Sequence, residues 1–145
     1  MARQILTLEQ IRPEGTASTK LEAIREAEEI LEAAGAVTPA YLPAMIAREQ
    51  TVSTYMGNLL AIPHGTNEAK EAILHSALSF VRYSTPIDWD GNPVQFVVGI
   101  AGRENEHLDI LGRVAIVFSD EDEVQALKDA TTAEEILDIL GEVNA

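Results

Sequence analysis

The sequence predicts an α/β fold: a single layered domain in which a small mixed β-sheet is flanked by helices. Three observations lead there. Short apolar runs recur at 59–62, 77–83 and 94–101, helix-type apolar spacing with capping signals lies before and after them, and no repeat or linker divides the 145 residues. A chain of that length fits one domain, expected over 1–145, and 46% hydrophobic residues allow a sizeable core.

In chain order, Ile5-Leu6-Thr7-Leu8 is expected as a short strand, and Arg12 to Thr16, with Pro13 and Gly15, as a turn. Thr19 and Glu22 have capping-box spacing, and Leu21, Ile24, Leu31 and Ala34 form an apolar stripe that stops at Gly35, which predicts a helix. Thr38-Pro39 repeats the start signal, with Thr38 as cap, for a second helix from Ala40 to about Glu49. Arg48 therefore falls at a helix C-terminus.

Leu59 to Ile62 reads as a strand stopped by Pro63, because a residue before proline is pushed toward extended geometry. His64 emerges where that strand ends. Ala77 to Tyr83 alternates as a strand should, Pro86 to Pro93 with Asp90-Gly91 reads as a turn region, and Val94 to Ala101 is apolar enough to be covered on both faces. A helix starting near Asn105 places His107 in its first turn, on one face with Leu111, Val114 and Phe118. Capping-box spacings at Ser119–Asp122 and Thr132–Glu135 predict two closing helices, about 120–128 and 133–140.

Charge excludes several partners. With 24 acidic against 10 basic side chains the net charge is −14, a field that repels nucleic acid backbones and anionic lipid headgroups. The absence of cysteine removes disulfides, thiolate catalysis and cysteine-ligated metals. No basic-then-apolar leader and no run of about 18 apolar residues occurs, so a soluble, unexported chain without direct membrane insertion is expected, with the cytoplasm as its place.

Three histidines are candidates for chemistry, and each has a plain alternative. His75 lacks a neighbouring glycine, arginine or acid signal and is expected to be a surface or structural residue. His64 stands in Ala61-Ile62-Pro63-His64-Gly65-Thr66, where proline fixes one side and glycine leaves room on the other. The loop either presents the ring to an anion, with the Gly65 and Thr66 amides and the Thr66 hydroxyl as donors, or simply finishes a strand. A neutral imidazole keeps one free nitrogen lone pair and can attack phosphorus, and phosphoryl transfer then asks for cations or donors beside it. Arg48 offers a planar fork suited to phosphate oxygens, or else an exposed helix-end charge. His107 offers a ring donor near a helix N-terminus, or else a polar cap contact.

Asn58 to Thr66, as Asn-Leu-Leu-Ala-Ile-Pro-His-Gly-Thr, resembles the phosphorylation-site segment of mannitol- and fructose-type enzyme IIA domains of the bacterial sugar phosphotransferase system. Tyr41 to Glu49, Glu68-Ala69-Lys70 and Gly99 to Leu108 are similar in kind and order to the mannitol branch, and the likeness runs over the whole chain. The resemblance implies that His64 accepts a phosphoryl group, that His107 is a second active-site histidine, and that Arg48 assists transfer. It also implies a histidine-containing phosphocarrier protein as donor, a cysteine of a mannitol-type IIB domain as acceptor, and no cofactor or metal. One departure is Asn58, where the family carries a glutamate close to the active histidine.

Two other readings stand beside it. A regulatory, nitrogen-type IIA-like phosphoprotein would use the same histidine without a sugar permease. A transition-metal site built on His64, His107 and carboxylates is disfavoured by the absence of HExxH or similar ligand spacing.

Overall fold

A computed structural model describes residues 5–103 and 106–141. Its centre is a five-stranded mixed sheet: β1 (Ile11–Arg12), β2 (Tyr55–Gly57), β3 (Leu60–Ala61), β4 (Ala77–Trp89) and β5 (Asn92–Ala101), in the order β1-β4-β5-β3-β2. β4 pairs antiparallel with β5 and parallel with β1, while β3 runs parallel to β5 and antiparallel to β2. Five helices cover it: α1 (Lys20–Ala33), α2 (Tyr41–Thr51), α3 (Glu106–Phe118), α4 (Glu121–Asp129) and α5 (Ala133–Ile139).

The alternation of β4 and β5 sorts the core into two layers. Val81, Tyr83, Trp89, Val97 and Ala101 face α1 and α2. Leu78, Phe80, Phe96, Val98 and Ile100 face α3, α4 and α5. Both strands are thus buried on both sides, as the apolar run 94–101 predicts. Among the described residues no helix is long and apolar enough to cross a membrane.

Several helix signals hold. The Thr19 hydroxyl accepts from Glu22 N, and α1 ends with Gly35 N–H bonded to Glu32 O and Ala36 N–H bonded to Leu31 O, the double bond of a Schellman motif. Thr132 caps α5 through Glu135 N. Others are corrected. Leu21 is 52% exposed, whereas Ile24 and Leu31 of the expected stripe are buried together with Ala23, Ala27 and Ile30. Thr38 makes no side-chain cap: its carbonyl accepts from Tyr41 N, and α2 begins at Tyr41 and reaches Thr51. Asp120, not Ser119, caps α4, accepting from Asp122 N and Glu123 N. Asn105 lies outside the described residues.

The strands also differ from expectation at their edges. Ile5 to Leu8 is not a strand; a 3-10 turn occupies Leu8–Gln10, and the short β1 follows at Ile11–Arg12, taking only the first residue of the expected turn, while Pro13 and Glu14 bend as that turn requires. β2 carries no sequence signal because three residues give no period to read. β4 runs through Pro86 to Trp89, so the turn narrows to Asp90 and Gly91, both at positive φ (55° and 95°), as a two-residue hairpin needs. Pro86 is tolerated because β1 borders β4 only at Phe80 and Val81, and the ladder to β5 shifts between Arg82 and Ile87.

Candidate functional site

β3 and β5 run parallel, and their C-terminal ends open on one side of the sheet, the usual place for a site in layered α/β folds. Leu60 pairs with Phe96 and Ala61 with Val97, and the same register continues past the strand to His64 opposite Ile100. Pro63 has no N–H, but its carbonyl accepts from Ile100 N at 3.0 Å, so the segment stays docked to β5. His64 therefore leaves the sheet at a fixed point.

An open cleft of about 490 Å³ surrounds it, lined by Tyr41, Arg48 and Thr51 of α2, by His64, Gly65, Thr66 and Lys70, and by Gly102, His107 and Leu108. The structure thus brings together all five residues expected from the sequence. The His64 and His107 rings stand 5.0 Å apart between centroids, tilted by 51°. His75 lies elsewhere, its Nδ1 3.3 Å from Ser76 O, beside a different surface hollow.

One hydrogen bond sets the chemistry of His64. Its Nδ1 lies 2.8 Å from Ile62 O, and since a carbonyl only accepts, Nδ1 carries the proton in the neutral ring. The lone pair is then on Nε2. Burial pushes the pKa of His64 below its ordinary value; the Ile62 bond opposes this, Arg48 reinforces it, and Glu49 again opposes it. His107 is lowered as well, by burial first, then by His64 and by Arg48. Both rings are held neutral near pH 7, which leaves a nucleophilic nitrogen available.

Arg48 sits in the last turn of α2, with Nη1 donating to Val52 O at 2.8 Å. That bond spends one donor and steadies a guanidinium that lines the cleft. Lys70 adds a second cation to the cleft lining, from the 3-10 segment Asn67–Ala72. Two cations in a chain of net charge −14 make this cleft a local exception to the molecule's field.

Gly65 is corrected. Its amide does not face an anion; it donates to Tyr41 Oη at 2.8 Å, and that hydroxyl in turn donates to Ile100 O at 2.7 Å. A Cβ on Gly65 would lie 2.5 Å from Tyr41 Cε1, so the glycine makes room for the tyrosine ring rather than for a ligand. Burial pushes the Tyr41 pKa up to about 12, which keeps the bridging proton in place. The Thr66 hydroxyl makes no capping bond to the 3-10 segment that follows and lines the cleft as expected.

His107 is placed by two small-residue devices. A Cβ on Gly102 would come within 2.6 Å of His107 Cα, so only glycine lets the start of α3 approach the end of β5. Ser76 then ties the turn, donating from Oγ to Glu106 Oε1 at 2.8 Å and accepting from Arg103 N at 3.0 Å.

Asn58 is also corrected. It stands in the β2–β3 turn at φ 49°, and its Nδ2 donates to Phe118 O at 2.7 Å, at the opposite end of α3 from His107. An amide donor suits a helix C-terminal carbonyl. It is not a neighbour of His64.

Sequence reasoning missed Tyr41 as part of the cleft and missed the burial of Glu49. Tyr41 looks like an ordinary apolar helix position, and Glu49 like a solvated helix-end charge, though both are buried. Among the described residues no three His, Asp or Glu side chains gather as a metal-ligand set.

Comparison with known proteins agrees with this geometry. Residues 4–143 match the sequence model described as phosphoenolpyruvate-dependent sugar phosphotransferase system, EIIA 2. The chain is 49% identical over 144 residues to the mannitol-specific phosphotransferase enzyme IIA component of Halalkalibacterium halodurans, covering 99% of each chain. It is similar to a chain in the NMR structure of the complex of enzyme IIA-Mtl and phosphorylated enzyme IIB-Mtl from Escherichia coli, with TM-score 0.87, 36% identity, and coverage of 94% of this chain and 96% of that one. It is also similar to nitrogen regulatory protein IIA-Ntr from Neisseria meningitidis, with TM-score 0.82, 30% identity, and coverage of 94% and 96%.

Proposed function

The chain belongs to the EIIA 2 family of the phosphoenolpyruvate-dependent sugar phosphotransferase system, and we propose that within it His64 is the residue that takes up and passes on the phosphoryl group. The observation that carries this reading is the Nδ1–H to Ile62 O bond, which leaves Nε2 as the nucleophile in a cleft also lined by Arg48 and His107.

In the first half-reaction the Nε2 lone pair attacks phosphorus on the phosphohistidine of the donor, the histidine-containing phosphocarrier protein. The new N–P bond forms as the donor's N–P bond breaks, and the donor imidazole leaves with the electron pair. In the second, a cysteine thiolate of the IIB domain attacks, and His64 departs as a neutral imidazole. Arg48 balances charge on the equatorial oxygens, and His107 and the Thr66 hydroxyl donate to them. Neither half-step leaves a net proton to be disposed of, so no separate general base is needed. Ground-state grip on the phosphoryl group is moderate, as a carrier requires.

Mannitol is the sugar whose uptake this carrier supports, through a mannitol-type IIB domain, on the strength of the names of its relatives and of the Escherichia coli complex. Residues 1–145 act as one domain of this type, in the cytoplasm, where its donor is made. The likeness to the nitrogen regulatory protein favours a second reading, a phosphoprotein that controls rather than transports. The greater identity to the mannitol relative, 49% against 30%, puts it second.

The test is phosphorylation from phosphoenolpyruvate by enzyme I and the phosphocarrier protein, followed by transfer to a mannitol-type IIB domain. Acid-labile label is expected on the native chain and none on His64→Ala, while His107→Ala and Arg48→Ala label about tenfold or more slowly. Label retained by His64→Ala rejects the site, and label that no IIB domain accepts favours the regulatory reading.

A further inference from the structure

Glu49 follows Arg48 in the last turn of α2, yet it points the other way, with only 1% of its side chain exposed. Its carboxylate collects hydrogen bonds from two separate parts of the chain and an ion pair from a third. Oε2 accepts from Thr54 N at 2.9 Å and from Trp89 Nε1 at 3.0 Å; Oε1 accepts from Thr54 Oγ1 at 2.5 Å. Lys20 Nζ, from the first turn of α1, lies 3.6 Å from Oε2 and is also paired with Asp90 at 2.8 Å. Removing a carboxylate from water costs several kcal/mol, and an apolar residue of similar volume would pack as well. Packing alone therefore gives no reason for a charge here.

The reason lies in where Thr54 leads. Its carbonyl accepts from Ile62 N at 3.1 Å, and the Ile62 carbonyl is the acceptor for His64 Nδ1. The bonds form one continuous path, Glu49 to Thr54 to Ile62 to His64. From the same helix turn, Arg48 Nη1 holds Val52 O, so two sequence neighbours grip the segment 52–54 from the core side and the cleft side together.

We infer that Glu49 is a positioning residue for phosphoryl transfer, fixing the His64 ring and its Nδ1–H tautomer through Thr54 and Ile62. The inference rests on the reading of His64 as phosphoryl acceptor. Glu49 does not touch the reacting atoms; it sets which nitrogen is free and where that nitrogen points.

The test compares Glu49→Gln, Thr54→Val and Thr54→Ser with the native chain and with Gln10→Ala. Glutamine keeps the volume but turns one oxygen into a donor facing the donors of Thr54 or Trp89. Valine removes the Thr54 hydroxyl, and serine restores it. Gln10→Ala is a stability control, because Gln10 is buried and bonds Ile5 O and Leu78 O, away from the cleft. Three quantities are read: thermal midpoint, rate of phosphorylation by the phosphocarrier protein, and the His64 nitrogen shifts that report its tautomer. Glu49→Gln and Thr54→Val are expected to move the His64 shifts toward the Nε2–H form and to slow phosphorylation about tenfold. Thr54→Ser and Gln10→Ala leave both near the native values, even where the midpoint falls. Native shifts and rates in Thr54→Val and in folded Glu49→Gln overturn the inference, and Thr54→Val decides alone if Glu49→Gln does not fold. Native protein labelled at a residue other than His64 sinks the function reading instead.

Discussion

Replacing Tyr41 with phenylalanine removes a single oxygen from beneath the site. The ring stays, so no cavity opens, but two partners are lost: the Gly65 amide at 2.8 Å and the Ile100 carbonyl at 2.7 Å. Each buried group left unpaired costs about 1 to 3 kcal/mol. Gly65 borders the open cleft, where water can replace the hydroxyl in part, whereas Ile100 is fully buried in β5. The sum is about 2 to 3 kcal/mol, and at roughly 3 °C per kcal/mol for a chain of this length the thermal midpoint falls by about 6 to 9 °C. Gly65 directly follows His64, the proposed phosphoryl acceptor, so the phosphorylation rate is expected to fall too. Because the Tyr41 pKa is raised to about 12, the hydroxyl keeps its proton throughout the neutral range and the rate ratio is constant from pH 6 to 9. Circular dichroism melts and single-turnover phosphorylation measure both effects. A variant within about 0.5 kcal/mol of native stability and with native rates would refute the bridge as an element that holds the site together.

Two further outcomes follow from shifted titrations. His64 and His107 have pKa values below the ordinary 6.5, so the rate of phosphorylation stays flat as pH drops through about 6.5 and falls only at lower pH; an inflection at or above 6.5 contradicts the burial account. The unfolded rings take up protons near 6.5 and the folded ones only below it, so acidification through that window also lowers stability. Glu28 shifts the other way. Both its oxygens are buried, and burial first, then hydrogen bonding to and charge repulsion from Glu32 that favour the protonated form, raise its pKa from 4.5 to about 8. Its contribution to stability is complete below pH 4.5 and is lost as pH rises toward 8. Glu28→Met is therefore expected to raise the thermal midpoint at pH 8 by several degrees, about 1 to 2 kcal/mol, and to change it little at pH 5; a gain equal at both values would count against this.

The layered fold was legible in the sequence because its central elements carry long signals. Six hydrophobic residues among the eight from Val94 to Ala101 announce a strand buried on both faces, and the Thr19 and Thr132 spacings announce helix starts that the hydroxyls indeed make. β1, β2 and the 3-10 turns were not legible, since two or three residues show no period and their conformation is imposed by neighbours. Pro86 in β4 was misread for a related reason: whether a proline interrupts a strand depends on whether its edge is paired there, which no local pattern records.

At the candidate site, residue type and context single out His64, Arg48 and His107, and the structure places all three in one cleft. The supports were not singled out. Gly65 was read as room for an anion, but the room is filled by Tyr41, which lies 24 residues earlier in the chain. Glu49 carried no expectation beyond marking a helix end, because nothing in the run Arg48-Glu49-Gln50 says which side chain turns inward. Asn58 is six residues from His64 in sequence yet bonds to the far end of α3, because the strand between them carries the two apart. Residues that touch the chemistry have recognisable types; residues that aim them are defined only by contacts across the chain.

The central claim is that Nε2 of His64 holds the phosphoryl group while Nδ1 keeps its proton on Ile62 O. Nitrogen–phosphorus correlation spectra of the phosphorylated, 15N-labelled protein test it most directly. The account predicts one N–P coupling, to Nε2 of His64, with a protonated Nδ1 on the same ring. A coupling to Nδ1, or to His107 or His75, would contradict it.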